Sequence, residues 1–210
     1  MAWFLSNIRY VAWTALAVAA LFLMYFAIGV AGYSFGDSAF WESALRWGHV
    51  LSGVMWIGLL YYFNFVQIPN MPKIPEEARG PAIGKVIAPQ ALFWFRWGAM
   101  ATLITGLLLS WNQGYAMQAL TLGMMDEPSF AVPKHILIGL GMWMAIIMWF
   151  NVWFIIWPNQ QKALNINNAY PDLDAAAKAA AGKTAMLFSR TNTFLSIPML
   201  VAMTGASTLF

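Results

Sequence analysis

Five stretches of the chain are poor in charged residues and long enough to cross a lipid bilayer as helices. They cover residues 10–31, 42–66, 91–111, 135–157 and 188–208. A spanning helix needs about 20 mostly apolar residues. The apolar residues are continuous rather than alternating, which favours helices over barrel strands. The pattern therefore predicts an all-α fold, an integral membrane bundle of five helices that forms a single domain over residues 1–210.

Composition agrees with a membrane location. Hydrophobic residues make up 61% of the chain and charged residues only 9%, a balance that a soluble domain would have difficulty keeping in solution. The first stretch is too long for the apolar region of a secretory signal and has no convincing cleavage site, so it is expected to be a retained anchor. The expected location is the bacterial inner (cytoplasmic) membrane, crossed several times.

The placement of lysine and arginine predicts the orientation of the five helices. With a cytoplasmic N-terminus, two of these residues lie on the outer side, Arg46 and Lys134. The cytoplasmic side then holds Arg9, Lys73, Arg79, Lys85, Arg96, Lys162, Lys178, Lys183 and Arg190. This excess follows the positive-inside rule and places the C-terminus in the periplasm. It also explains the net charge of +3 without nucleic acid, which is not an expected partner.

Similar short sequence motifs occur in the second and fourth predicted helices. His49 and His135 are each followed four residues later by glycine, and an Asn follows His49 after fifteen residues and His135 after sixteen. The spacing suggests that helices two and three repeat as helices four and five. Both halves would run in the same direction, a parallel repeat with sites where the halves meet. Chance similarity between tryptophan-rich membrane helices is the alternative.

The two histidines are the strongest metal-ligand candidates, because the chain contains no cysteine. Both belong to the periplasmic halves of their helices, so their imidazoles are expected to reach equal depth and bind one iron from opposite faces. Two nitrogens alone make a poor zinc or copper site, whereas haem supplies four more ligands itself. The predicted cofactor is therefore haem b. The alternative is that both histidines only form structural hydrogen bonds.

Further residues are assigned to this haem site. Gly53 and Gly139, one turn below the histidines, leave room for a flat macrocycle, and Trp56 lies on the same helix face as His49. Arg46 and Lys134 are candidates for binding the haem propionates. Their alternative role is to anchor helix ends at the membrane surface.

A second set of polar residues lies toward the cytoplasmic ends of the helices. One interpretation is a pocket for a small, flat, anionic or carbonyl-rich molecule, such as a quinone headgroup or a purine. The other is that these side chains join helices, since interhelical hydrogen bonds in membranes contribute about 0.6 kcal/mol on average. The residues are Asn64, Arg96, Asn151, Arg190 and Asn192.

Five short segments resemble the membrane-embedded N-terminal region of the bacterial cytochrome-c-linked urate hydroxylases. The last two are the most specific. They are residues 46–49 with 56–58, residues 95–98, residues 151–160 (NVWFIIWPNQ) and residues 189–198 (SRTNTFLSIP).

The resemblance implies oxidation of urate to 5-hydroxyisourate by a membrane protein, with electrons leaving through a periplasmic cytochrome c domain. This chain has no Cys-x-x-Cys-His motif, so its electron acceptor is expected to be a separate protein.

Two functions from different classes follow. The first is a membrane-embedded haem b electron-transfer protein or subunit that passes electrons to a separate periplasmic cytochrome c. The second is a cofactor-free structural accessory subunit of a larger membrane complex. The expected partners are the lipid bilayer and either cytochrome c or other membrane subunits, with a homo-oligomer as a further option.

Overall fold

Helices joined by loops form the protein. The computed structural model describes residues 2–210, and no strand occurs among them. The all-α prediction is therefore confirmed. The long helices are α1 (Ile8–Val30), α2 (Ser38–Lys73), α3 (Arg79–Asn112), α4 (Pro133–Leu164) and α5 (Ala175–Thr208). Short helices cover Ala2–Leu5, Glu76–Ala78, Ala116–Leu120 and Ile166–Asn168.

Helices α1 to α4 are long and apolar enough to cross a membrane by length and composition. Each contains nearly all of one predicted span, and α2, α3 and α4 extend well beyond it. The predicted fifth span, 188–208, is helical within α5, but α5 does not have the same apolar character. Polar residues recur along α5, and three of them, Ser189, Asn192 and Ser196, are buried.

Two helix pairs make up the main body. Helix α2 packs chiefly against α3, and α4 packs chiefly against α5. Glycine permits a close approach in both pairs: a Cβ at Gly98 of α3 would lie 3.3 Å from the backbone N of Trp56, and one at Gly141 of α4 would lie 3.1 Å from Ala202 Cβ. The core between the pairs includes Trp56, Leu60, Phe95, Met148, Val152 and Ala185.

Helix α1 stands largely apart from this body. Ala27 is the single buried residue that it contributes to the described part of the chain. Trp13 is 72% exposed, and Leu21 and Phe22 are exposed as well. An apolar helix with apolar residues on all sides is suited to contact with lipid or with another membrane helix.

Prolines lie inside α2 and α4 without ending either helix. A proline ring clashes with the carbonyl four residues earlier in a regular α-helix. Here each proline follows a π-helical segment, Tyr62–Gln67 before Pro69 and Asn151–Ile156 before Pro158. The wider turn accommodates the ring. For this reason α2 does not end with the predicted span at residue 66 but continues to Lys73.

The next residue is an asparagine in both helices, and it has the same role in each. Asn70 Nδ2 donates to Val66 O at 2.7 Å, and Asn159 Nδ2 donates to Ile155 O at 2.8 Å. Each side chain thus satisfies a carbonyl near the proline. α2 and α4 thus share a π-helical segment, a proline and an asparagine with the same structural role.

Candidate functional site

His49 is wedged between α2 and α3. Its Nδ1 lies 3.0 Å from Thr102 O and 3.3 Å from Thr105 Oγ1. The Thr105 hydroxyl donates to Ala101 O at 2.6 Å, so its oxygen is free to accept from the imidazole. A Cβ at Gly106 would lie 2.8 Å from His49 Cε1, so glycine at position 106 makes room for the imidazole.

His135 is held at the start of α4 by the loop that precedes the helix. Its Nδ1 lies 2.6 Å from Asp126 Oδ1, and the Asp126 side chain is only 2% exposed. The other carboxylate oxygen accepts weakly from Val132 N at 3.4 Å. The Tyr115 ring is nearly parallel to the imidazole, with the ring centroids 5.9 Å apart.

These contacts determine which ring nitrogen of each histidine carries the hydrogen. The carbonyl of Thr102 and the carboxylate of Asp126 only accept hydrogen bonds, so Nδ1 is the donor in both imidazoles. In the neutral ring, Nε2 then carries the lone pair. Among residues 2–210, no hydrogen bond uses either Nε2. Metal-binding histidines are typically held in this way through the other ring nitrogen.

The two imidazoles differ in depth, contrary to the expected equal depth. Gln113 Nε2 donates to Glu42 Oε1, and Lys134 lines the same cavity as these two residues. His135 follows Lys134 and so lies at this end of the helices. His49 lies seven residues beyond Glu42 along α2, about 10 Å deeper at 1.5 Å per residue.

Of the two glycines assigned to the macrocycle, Gly139 is tightly enclosed by protein atoms, whereas Gly53 has one side-chain atom at ordinary contact distance. A Cβ at Gly139 would lie 2.1 Å from Ala119 O, because the short helix Ala116–Leu120 rests directly on α4. A Cβ at Gly53 would meet Thr102 Cγ2 at 3.9 Å. Trp56 is 1% exposed in the core and belongs to the packing between the helix pairs. Gly139, Gly53 and Trp56 each face a neighbouring helix, so each contributes to the packing of helices against one another.

Arg46 and Lys134 have different surroundings. Arg46 forms an ion pair with Glu42 at 2.6 Å, one turn earlier on α2, and its side chain is about half exposed. Lys134 is half-buried and has no ion pair within residues 2–210. An exposed pair at this spacing contributes a few tenths of a kcal/mol, about 0.3–0.5. Arg46 is therefore already partly neutralised, whereas Lys134 retains an uncompensated charge.

An open polar cavity of about 410 Å³ lies where α2 begins, α3 ends and α4 begins. We call it the end cavity. Burial is the main cause that raises the pKa of Tyr115, one of its lining residues, which favours the neutral phenol. The residues that line the end cavity are Ser38, Glu42, Asn112, Gln113, Tyr115 and Lys134.

Of the polar residues predicted to form the cytoplasmic pocket, Asn151 and Asn192 contact each other, and Asn64 has a different partner. Asn64 Nδ2 donates to Ser189 Oγ at 2.8 Å, which joins α2 to α5. Asn151 Nδ2 donates to Asn192 Oδ1 at 2.8 Å, and Asn192 Nδ2 donates to Met148 O, which joins α4 to α5. These bonds are the interhelical contacts that the alternative interpretation expected.

The two arginines of that set are also apart from the asparagine pairs. The Arg96 guanidinium lies 3.4 Å from the centroid of the Trp157 ring and 5.5 Å from that of Trp153, a cation–π arrangement between α3 and α4. Arg190 is exposed on α5. Within residues 2–210, neither arginine is hydrogen-bonded to any of the three asparagines.

Asp126, Thr102 and Tyr115 are the partners that sequence reasoning missed. Asp126 lies in a loop that showed no recognisable motif, nine residues before His135. A lone carboxylate close in sequence to an otherwise unpaired histidine was the available signal. Thr102 contributes a backbone carbonyl, for which no side-chain pattern exists.

Replacing Asp126 by Ala is expected to lower the free energy of unfolding by about 2 kcal/mol. The variant leaves the His135 Nδ1–H without its acceptor in a partly buried place and removes the weak acceptor of the Val132 N–H. Thermal unfolding in detergent micelles, followed by circular dichroism, measures the change. Glu127→Ala, at the exposed neighbouring position, serves as the control. Equal melting temperatures for the two variants would contradict a structural role for Asp126.

Comparison with known families identifies one match. The family model described as urate oxidase N-terminal matches residues 117–207. This stretch contains His135 and the two most specific motifs, at 151–160 and 189–198, so the predicted resemblance is confirmed there. His49 and Arg96 lie outside it. Neither the curated proteins nor the solved structures include a match to the chain.

Proposed function

We propose that this chain is a membrane-embedded redox module that holds a haem b through His49 and passes electrons to a separate periplasmic cytochrome c. The observation that carries the proposal is the His49 hydrogen bond to Thr102 O, which leaves Nε2 with an available lone pair. The match to the urate oxidase N-terminal family, an oxidase by its description, supports a redox role.

The residues present suit a haem in their donor chemistry. Imidazole nitrogen is a common axial ligand, and a backbone carbonyl on the opposite ring nitrogen keeps the ring oriented and basic. A bound haem would supply one-electron redox chemistry at its iron. The different depths of the two imidazoles favour His49 as the ligand, because it lies inside a membrane-length helix. His135, paired with Asp126 beside the end cavity, is better placed for a different role.

The proposal includes five membrane spans, with a cytoplasmic N-terminus. Helix α5 has 34 residues, which corresponds to about 50 Å and exceeds the thickness of a bilayer core. Its polar residues are buried, whereas Phe194, Ile197 and Val201 are exposed. A helix with apolar residues outside and polar residues inside is suited to lipid. The excess of lysine and arginine at the other end of the helices supports the orientation.

A haem-binding assay tests the proposal. The full chain, purified in detergent and incubated with haem, is expected to show a sharp Soret band. His49→Ala is expected to lose the band, whereas His135→Ala, the matched control, is expected to keep it. Thermal unfolding of both variants checks that each is folded. A folded wild-type protein that stays colourless, or a band that survives in His49→Ala, would refute the assignment.

A second candidate function is a structural subunit of a larger membrane complex, and the exposure of α1 favours it. A shallow apolar groove of about 460 Å³ runs along this helix. Its lining residues lie at helical spacing and include several small side chains, which allow close approach of another helix in a membrane. They are Phe4, Val11, Thr14, Ala15, Val18, Ala19 and Phe22. If the chain is such a structural subunit, the protein is expected to be colourless and to co-purify with the other subunits of its complex.

A further inference from the structure

The end cavity is polar, open and unused by the proposed haem site. Its walls come from three long helices and from the loop after α3, so it exists only because these helix ends meet. At about 410 Å³ it has room for a small organic molecule.

Two charged residues line the cavity, Glu42 and Lys134, and only Glu42 has an ion-pair partner in the described part of the chain. Glu42 Oε1 accepts from Arg46 at 2.6 Å and from Gln113 Nε2, so its negative charge is already compensated. Lys134 is half-buried, and no carboxylate in residues 2–210 lies within ion-pair distance of it. A partly buried ammonium without a counter-charge favours an anionic ligand.

The cavity also offers hydrogen-bond acceptors in fixed positions. Asn112 Nδ2 donates to the Ser38 carbonyl at 3.0 Å, and Gln113 Nε2 donates to the Glu42 carboxylate. Both partners only accept, so the orientation of each side-chain amide is settled. The amide oxygens, Asn112 Oδ1 and Gln113 Oε1, have no hydrogen-bond donor within residues 2–210. They are available to a ligand hydroxyl or amino group.

Tyr115 supplies an aromatic wall. Its ring is held by stacking on His135, which is in turn fixed by Asp126. A rigid ring lowers the entropic cost of ordering a ligand beside it.

We infer that the end cavity binds a small organic carboxylate that also carries a hydroxyl or amino group. The carboxylate pairs with Lys134, and the hydroxyl or amino hydrogen is donated to the amide oxygens of Asn112 and Gln113. The inference does not depend on haem, because none of these residues contacts His49. An anionic lipid headgroup can also pair with Lys134, but it does not need the amide oxygens of Asn112 and Gln113 as hydrogen-bond acceptors.

Binding is tested with the full chain in phosphatidylcholine nanodiscs without added haem. Calorimetry compares 4-hydroxybenzoate with benzoate, two probes that differ in one hydroxyl group. We expect 4-hydroxybenzoate to bind roughly fivefold more tightly, the effect of about one hydrogen bond. Lys134→Gln is expected to weaken both probes by about tenfold. Lys85→Gln, at an exposed position near the other end of α3, is the control and should change neither.

A second variant separates the two parts of the site. Asn112→Leu removes one of the two acceptors and is expected to reduce the preference for 4-hydroxybenzoate while leaving benzoate binding nearly unchanged, with a thermal melt to confirm folding. Absence of binding by both probes, or equal affinities in wild-type protein and Lys134→Gln, would overturn the inference. Loss of probe binding when phosphatidylglycerol replaces phosphatidylcholine would also overturn the inference, because it would show that an anionic lipid headgroup occupies the cavity.

Discussion

Gly139→Ala is expected to lower the free energy of unfolding by about 3 kcal/mol, the upper end of the usual cost of overpacking. The added Cβ would lie 2.1 Å from Ala119 O and 3.0 Å from Ala119 C and Leu122 Cδ2. A backbone carbonyl cannot rotate away as a side chain can, so the whole helix Ala116–Leu120 must move off α4. Thermal unfolding in detergent, followed by circular dichroism, measures the loss.

Gly58→Ala is the matched control for this prediction. Gly58 also lies inside a long helix, but a Cβ there would meet no atom within 4 Å. Alanine is preferred over glycine in a helix by up to about 1 kcal/mol, so this variant should be as stable as wild type or slightly more so. If Gly139→Ala were as stable as Gly58→Ala, the close approach of Ala119 to Gly139 would be refuted. The assignment of Gly139 to the haem site would then regain support.

Trp56→Ala is expected to lower the free energy of unfolding by about 3–5 kcal/mol, the usual cost of removing a buried aromatic side chain. Trp56 is 1% exposed and lies in the core where the two helix pairs meet. Its loss leaves a cavity beside Leu60 and Phe95 that rigid helices cannot close. The same unfolding measurement tests the prediction.

Two further variants make the Trp56 prediction specific. The indole Nε1 is buried without a hydrogen-bond partner in the described part of the chain, so Trp56→Phe removes no hydrogen bond and should cost only about 1–2 kcal/mol. Trp13→Ala, at a position 72% exposed on α1, should change stability by less than about 0.5 kcal/mol. Equal losses for Trp56→Ala and Trp13→Ala would show that Trp56 is not a core residue.

Most of the helices could be predicted from the sequence because each depends on local information. Apolar residues over about 20 positions indicate a membrane helix whichever helices surround it. The boundaries were less accurate at Pro69 and Pro158, where a preceding π-helical segment lets the chain continue. Such a segment leaves no clear mark in the residue pattern.

The candidate site was predictable only in part. The histidines could be singled out because the chain has two of them and no cysteine. Their partners could not, because Thr102 lies 53 residues from His49 and acts through its backbone. The prediction of equal depth assumed that both histidines lie at similar distances from the first residues of their helices. In fact His49 is the twelfth residue of α2, whereas His135 is the third of α4.

The sequence by itself determined the all-α architecture, the apolar character of four helices and the resemblance to the urate oxidase N-terminal family over residues 117–207. These properties depend on composition, helical period and short motifs. Only the tertiary structure decided that α2 pairs with α3 and α4 with α5, that Ala119 occupies the space beside Gly139, and that Lys134 faces an open cavity. Contacts between residues far apart in the chain depend on how rigid helices pack, and no local pattern encodes that packing.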